Sequence, residues 1–223
     1  PCESNCVAST GFMKTRNWIM NYEKIEIKGD INTVVQSSAE GSPHKNLVFM
    51  YRTDKIFPDL NAMKKNKQKN SGGVMTLSGG TGEVAWTREM TNEPRSIDCS
   101  LIDCDKSGTK DCLILDEFGQ LACLDINGHF IYYLSNQKAT KQTRKDLLDF
   151  PLMLPDLDND KVNEIMMSSS NGKSNSSDLI IISGANGKLV FKETQNCSYV
   201  HKLQIDNDYT IKYICIVKEN TEQ

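Results

Sequence analysis

Two short acidic runs carry the residues whose types and spacing suggest chemistry: Asp103-Cys-Asp-Lys-Ser-Gly-Thr-Lys-Asp111 and Asp156-Leu-Asp-Asn-Asp-Lys-Val-Asn-Glu164. Oxygen-bearing side chains at alternating positions of a tight loop gather on one side, and Ca2+ takes roughly six to eight oxygen ligands. In the first run Asp103, Asp105, Ser107 and Asp111 stand at positions one, three, five and nine, with Gly108 at six for the sharp turn. In the second, Asp156, Asp158, Asp160 and Glu164 take the same positions, but Lys161 replaces the glycine. Each run reads either as a calcium loop or as an Asp-rich turn whose side-chain oxygens hold its own backbone N–H groups. If only one loop takes calcium, backbone fit favours the first, because glycine reaches a positive φ without steric cost and lysine does not.

No other constellation competes. His44, His129 and His201 are far apart and lack ligand or triad spacing. Phosphate loops, nucleophile elbows and dinucleotide fingerprints are absent from the sequence, so no catalytic residues are expected and the chain reads as a non-enzyme. The lysine run Lys64, Lys65, Lys67 and Lys69 has no interleaved aromatics and reads as a solvated loop. A net charge of −3 argues against nucleic acid as a partner.

The elements that must position these loops announce themselves by repetition. An apolar strand follows each acidic run, at Cys112–Leu115 and at Ile165–Met167, and a turn phrase comes later. The phrase occurs three times, at Ser78–Trp86, Leu124–Tyr132 and Ser183–Phe191, each closing on a glycine: Gly82, Gly128 or Gly187. Two residues after the glycine stands an apolar side chain (Val84, Phe130, Leu189), and four after it an aromatic one (Trp86, Tyr132, Phe191). Offsets of two and four put both on one face of a strand. Ala85, Ile131 and Val190 between them are apolar too, so these strands are expected to be buried on both faces.

Repeats of loop, strand, hairpin and strand, spaced by 46 and 59 residues, predict an all-β fold of propeller blades. A leader (1–21) precedes blades at about 22–90, 95–135 and 147–193, and 199–217 begins another. The first blade is read from strands at Tyr22–Ile27, Ile31–Val35, Leu47–Tyr51, Val74–Leu77 and Val84–Thr87. Its equivalent of the acidic loop, Gln36–Asn46, lacks carboxylates at the ligand positions and should bind nothing, and Asp54–Gly72 reads as an insertion. Three blades and part of a fourth do not close a ring of about four to eight, so the chain is expected to be the first part of a larger propeller. Its start at Pro1-Cys2 reads as trimmed.

Eight cysteines without a Cys-x-x-Cys pair suit an oxidising compartment. Eight thiols permit about 105 pairings, so spacing alone does not fix connectivity. Sequons at Asn175 and Asn196 fit the same compartment as glycosylation sites. No apolar run of about 18 residues marks a membrane span within the sequence.

The loop pattern followed by an apolar strand resembles the FG-GAP repeat of integrin-α-like propellers, and the Ser-Gly-x-[Thr/Asn]-Gly phrase with its aromatic resembles blades of quinoprotein-type propellers. Both features in this order resemble the animal "family with sequence similarity" group numbered 234, over nearly the whole chain. The Pro1-Cys2 opening, the Ser78–Trp86 phrase, the Cys99 and Cys112 pair and the Pro155–Glu164 loop carry that resemblance. It implies a single-span membrane protein with the span upstream of this chain and the propeller outside the cell, binding protein partners; an integrin-like, calcium-stiffened adhesion head and a quinoprotein-type enzyme are the alternative readings. Lys161 for glycine and the extra Cys104 and Cys123 depart from the family pattern. Cys99 and Cys112 flank the first acidic loop on neighbouring strands and are expected to be bonded. Cys197–Cys215 and Cys104–Cys123 are the further pairings expected.

Overall fold

The computed structural model describes residues 25–36, 44–53, 71–134, 150–170, 176–206 and 210–217. Among them every regular element is a strand, and all pairing is antiparallel. The first sheet runs β1 (Ile25–Gln36), β2 (His44–Thr53), β3 (Ser71–Leu77), β4 (Val84–Met90), in spatial order 1-2-3-4. The second repeats that order with β5 (Pro94–Ile102), β6 (Asp111–Asp116), β7 (Leu121–Leu124) and β8 (Phe130–Leu134). The third does so with β9 (Leu152–Met153), β10 (Ile165–Ser170), β11 (Ser177–Ile182) and β12 (Leu189–Gln195). β13 (Tyr199–Ile205) and β14 (Ile211–Ile216) pair as a two-stranded sheet. Sequential neighbours joined by hairpins are the pairing that short connections permit.

β1 corrects the strand reading. Tyr22–Ile27 and Ile31–Val35 were expected as two strands, but one strand crosses the interval, with its register shifted between Lys28 and Asn32 and Gly29 at φ 65°. The left-handed glycine absorbs the irregularity without ending the pairing. The first sheet therefore has four strands rather than five.

The cores lie between sheets, apart from a cluster of Phe49, Tyr51, Met75 and Leu77 on the first sheet alone. β6 alternates strictly: Cys112 and Ile114 join Val48, Val74 and Trp86 of the first sheet, whereas Leu113 and Leu115 join Ile165 and Ile182 of the third. The middle strands β6 and β7 are buried along their whole length, as expected for a sheet sandwiched between two others. Leu154, Met166 and Leu179 meet Cys197 and Val200 on the far side of the third sheet.

The strands after the turn phrases are the outer ones, and two expectations about them fail. β4 and β12 are not buried on both faces: Val84 is 41% exposed, and Leu189, Val190 and Phe191 are all exposed, whereas β8 is half-buried to buried along its length. An outermost strand has a neighbour on one side only. Nor do the two marked side chains share a face. Each strand opens with a register shift against its partner, at Thr76/Leu77, Cys123/Leu124 and Ile181/Ile182. The extra residue breaks the period of two. Phe130 consequently packs toward the first sheet and Tyr132 toward the third.

The phrase has a packing role instead. The Trp86 ring of the first sheet lies over the turn of the second, where a Cβ on Gly128 would sit 2.6 Å from the indole. Trp86 Nε1 donates to the Ile126 carbonyl at 2.9 Å, and Arg88 Nε to that of Gly128 at 2.6 Å. Tyr132 and Leu134 cover Gly187 of the third sheet in the same way. Gly128 and Gly187 each reach positive φ, 79° and 71°, and let the previous sheet's side chains close over them.

Candidate functional site

Both acidic runs connect the first strand of a sheet to the second, β5 to β6 and β9 to β10, so they occupy equivalent places. Residues 37–43 of the counterpart between β1 and β2, with the expectation that it binds nothing, lie outside the described residues, as do residues 54–70 of the insertion, the lysine run, Cys2, Cys6 and Asn175.

The loops close by one hydrogen-bond scheme. In the first, Asp103 accepts from the Ser107 N–H (3.0 Å) and the Gly108 N–H (2.8 Å), and Asp105 accepts from Ser107 (2.9 Å). In the second, Asp156 accepts from the Asp160 N–H (3.2 Å) and the Lys161 N–H (2.8 Å), and Asp158 from Asp160 (3.1 Å). Backbone conformation matches as well: Lys106 and Asn159 both have φ 61°, and Lys161 takes φ 72° where Gly108 takes 86°. The lysine thus adopts the disfavoured left-handed geometry that the position demands, at a cost of roughly 1 kcal/mol.

The acid at position nine is built differently from the others. Asp111 opens β6 and Glu164 immediately precedes β10, and both are fully buried because the strands that follow are core strands. One oxygen of each is engaged. Asp111 Oδ2 accepts from the Cys104 N–H (2.6 Å) and the Asp105 N–H (3.3 Å), and Glu164 Oε2 from the Leu157 N–H (2.5 Å). The other oxygens, Asp111 Oδ1 and Glu164 Oε1, have no partner. A buried carboxylate oxygen left unpaired costs at least about 1–3 kcal/mol. Burial pushes the Asp111 carboxyl up to about 6, and the nearby Asp105 and Asp103 charges add to the rise. Glu164 is raised for the same reasons, burial first and then Asp158 and Asp156.

Ligand oxygens of Asp103, Asp105 and Asp111 lie within 4.8 Å of one another, and so do those of Asp156, Asp158 and Glu164. Three clustered carboxylates, one of them with a buried, unpartnered oxygen, fit a hard divalent cation. Asp160, expected among the ligands, is not in the convergent set; its Oδ1 accepts from the Val162 N–H at 2.8 Å. Ser107 serves the same turn in the first loop, its Oγ accepting from the Thr109 N–H at 3.4 Å. Position five therefore braces the loop in both sheets. The deep burial of position nine was missed, although the apolar run directly after it was the signal.

The three expected disulfides are present: Cys99–Cys112 joins β5 to β6 across the base of the first loop, Cys104–Cys123 ties that loop to β7, and Cys197–Cys215 links the approach to β13 with β14. No free cysteine occurs among the described residues. Asn196, on the connection from β12 to β13, is exposed.

Four-stranded antiparallel sheets in repeated sequential order, packed face to face with acidic loops at equivalent ends, define a β-propeller domain. The family model described as the FAM234A/B beta-propeller matches residues 37–221, and the chain belongs to that family. No curated protein matches the chain.

Proposed function

We propose that this propeller domain is a non-enzymatic extracellular module of a membrane protein, one that binds other proteins and whose second and third blades are stiffened by Ca2+. The observation that carries the calcium reading is the pair of buried, unpartnered oxygens, Asp111 Oδ1 and Glu164 Oε1, each at the base of a three-carboxylate cluster. Asp103, Asp105 and Asp111 would hold one ion, and Asp156, Asp158 and Glu164 the other. The ion supplies the positive charge that these carboxylates otherwise lack. The disulfides and the exposed sequon at Asn196 support an oxidising, extracellular setting. Family membership supports membrane attachment outside this chain. A scaffold whose stiffened loops sit at one end suits protein recognition by those loops, as in a calcium-dependent adhesion head. The test is capture of cell-surface partners by the immobilised domain in calcium and in chelator, beside calorimetric titration of Ca2+. Calcium-dependent capture with two bound ions is expected; absence of calcium uptake would sink the reading.

A further inference from the structure

We propose that the Cys104–Cys123 disulfide makes the first calcium site conditional on oxidation, while the second site is independent of thiol chemistry. The proposal rests on the calcium reading above and goes beyond it in assigning the site a control.

Cys104 lies inside the loop, between the ligands Asp103 and Asp105, and is 2% exposed; Cys123, its partner on β7, is wholly buried. The same residue's N–H is the closest donor to Asp111, at 2.6 Å from Oδ2. Its sulfur lies 3.8 Å from the Tyr132 hydroxyl, and the Asp111 carboxylate and both sulfurs fall within 4.8 Å of one another. The covalent tether and the ligand carboxylate thus meet at a single residue. In the second loop the same position is Leu157, which also offers its N–H to the position-nine acid but is 52% exposed and tied to nothing. The β11 residue corresponding to Cys123 is Ile181, which pairs with Phe191 as Cys123 pairs with Tyr132.

Bonding Cys104 to β7 removes freedom from the loop before the ion arrives. With two thiols in place of the bond, calcium itself must order that segment, and the cost subtracts from binding. The bond forms by exchange with an oxidising disulfide: the two thiols give up two protons and two electrons, and the incoming disulfide leaves as two thiols. Burial of both sulfurs then shields the bond, so the site is set during folding.

The full chain is titrated calorimetrically with Ca2+ in two backgrounds, Asp158→Ala to isolate the first site and Asp105→Ala to isolate the second. Each is measured with and without Cys104→Leu/Cys123→Ile, which installs the residues of the third blade. Affinity at the first site should fall about tenfold, equivalent to ~1.4 kcal/mol of ordering free energy, and at the second by less than about twofold. Should the substituted pair unfold, Cys104→Ser/Cys123→Ser, which adds no bulk to the buried site, carries the same comparison. An unchanged first site, or an equal fall at both, overturns the proposal. Absence of calcium uptake by the unsubstituted chain overturns it together with the calcium reading.

Discussion

The loops of the second and third blades share one hydrogen-bond scheme but differ in how it is enforced. Asp103–Asp111 has glycine at the left-handed position, a disulfide at position two and aspartate at position nine. Asp156–Glu164 has lysine, an exposed leucine and glutamate there. Even so, φ at position six is 86° in one and 72° in the other, and the same donors reach the same carboxylates. The lesson is that strand pairing on either side fixes the two ends of the loop, and the side chains at positions one and three then dictate its path. Glycine and the disulfide ease that path without creating it.

The largest way to break the symmetry is at position nine. Asp111→Ala removes the acceptor of two amides, the buried one of Cys104 and the half-buried one of Asp105, so calcium-loaded protein should lose roughly 3 kcal/mol in urea unfolding beyond the loss of the bound ion. Glu164→Ala removes the acceptor of the half-buried Leu157 amide alone and should cost about half as much beyond its own ion. Equal losses would mean that the two acids are held alike.

Metal removal comes next. At a free calcium concentration of about 100 times Kd, each occupied site adds ~2.7 kcal/mol, so chelator should lower the thermal midpoint. Asp105→Ala and Asp158→Ala should each abolish one site, retain binding at the other, and remove about half of that chelator effect. An unchanged midpoint in chelator would leave both loops as ordinary Asp turns.

Lys161→Gly sharpens the comparison by giving the second loop the residue of the first. Relief of the left-handed strain should stabilise the protein by up to about 1 kcal/mol, and calcium affinity at that loop should rise. A loss of stability would show that the lysine side chain contributes packing that outweighs its backbone cost.

The smallest effect is expected from Asp160→Ala. That side chain braces the Val162 N–H rather than facing the cluster. The loss should be about 0.5–1.5 kcal/mol of stability, with calcium affinity changed far less than by Asp158→Ala. An affinity loss as large as that of Asp158→Ala would restore Asp160 to the ligand set.

The sequence by itself determined a good deal. Glycine turns and β-branched runs are local signals, and they located the strands of the first sheet separately except in β1, where Gly29 bends a strand instead of ending it. Acidic spacing is local too, so both loops and their equivalence were legible, as was the Cys99–Cys112 pair that flanks the first of them. Which face a side chain takes was not legible. One extra residue at the start of β4, β8 and β12 reverses the alternation, and its presence depends on the partner strand. Burial of Asp111 and Glu164 likewise depends on sheets packed from both sides. Spacing placed the carboxylates near one another; only tertiary packing removed water from two of their oxygens, because desolvation is a property of everything around a group rather than of its neighbours in the chain.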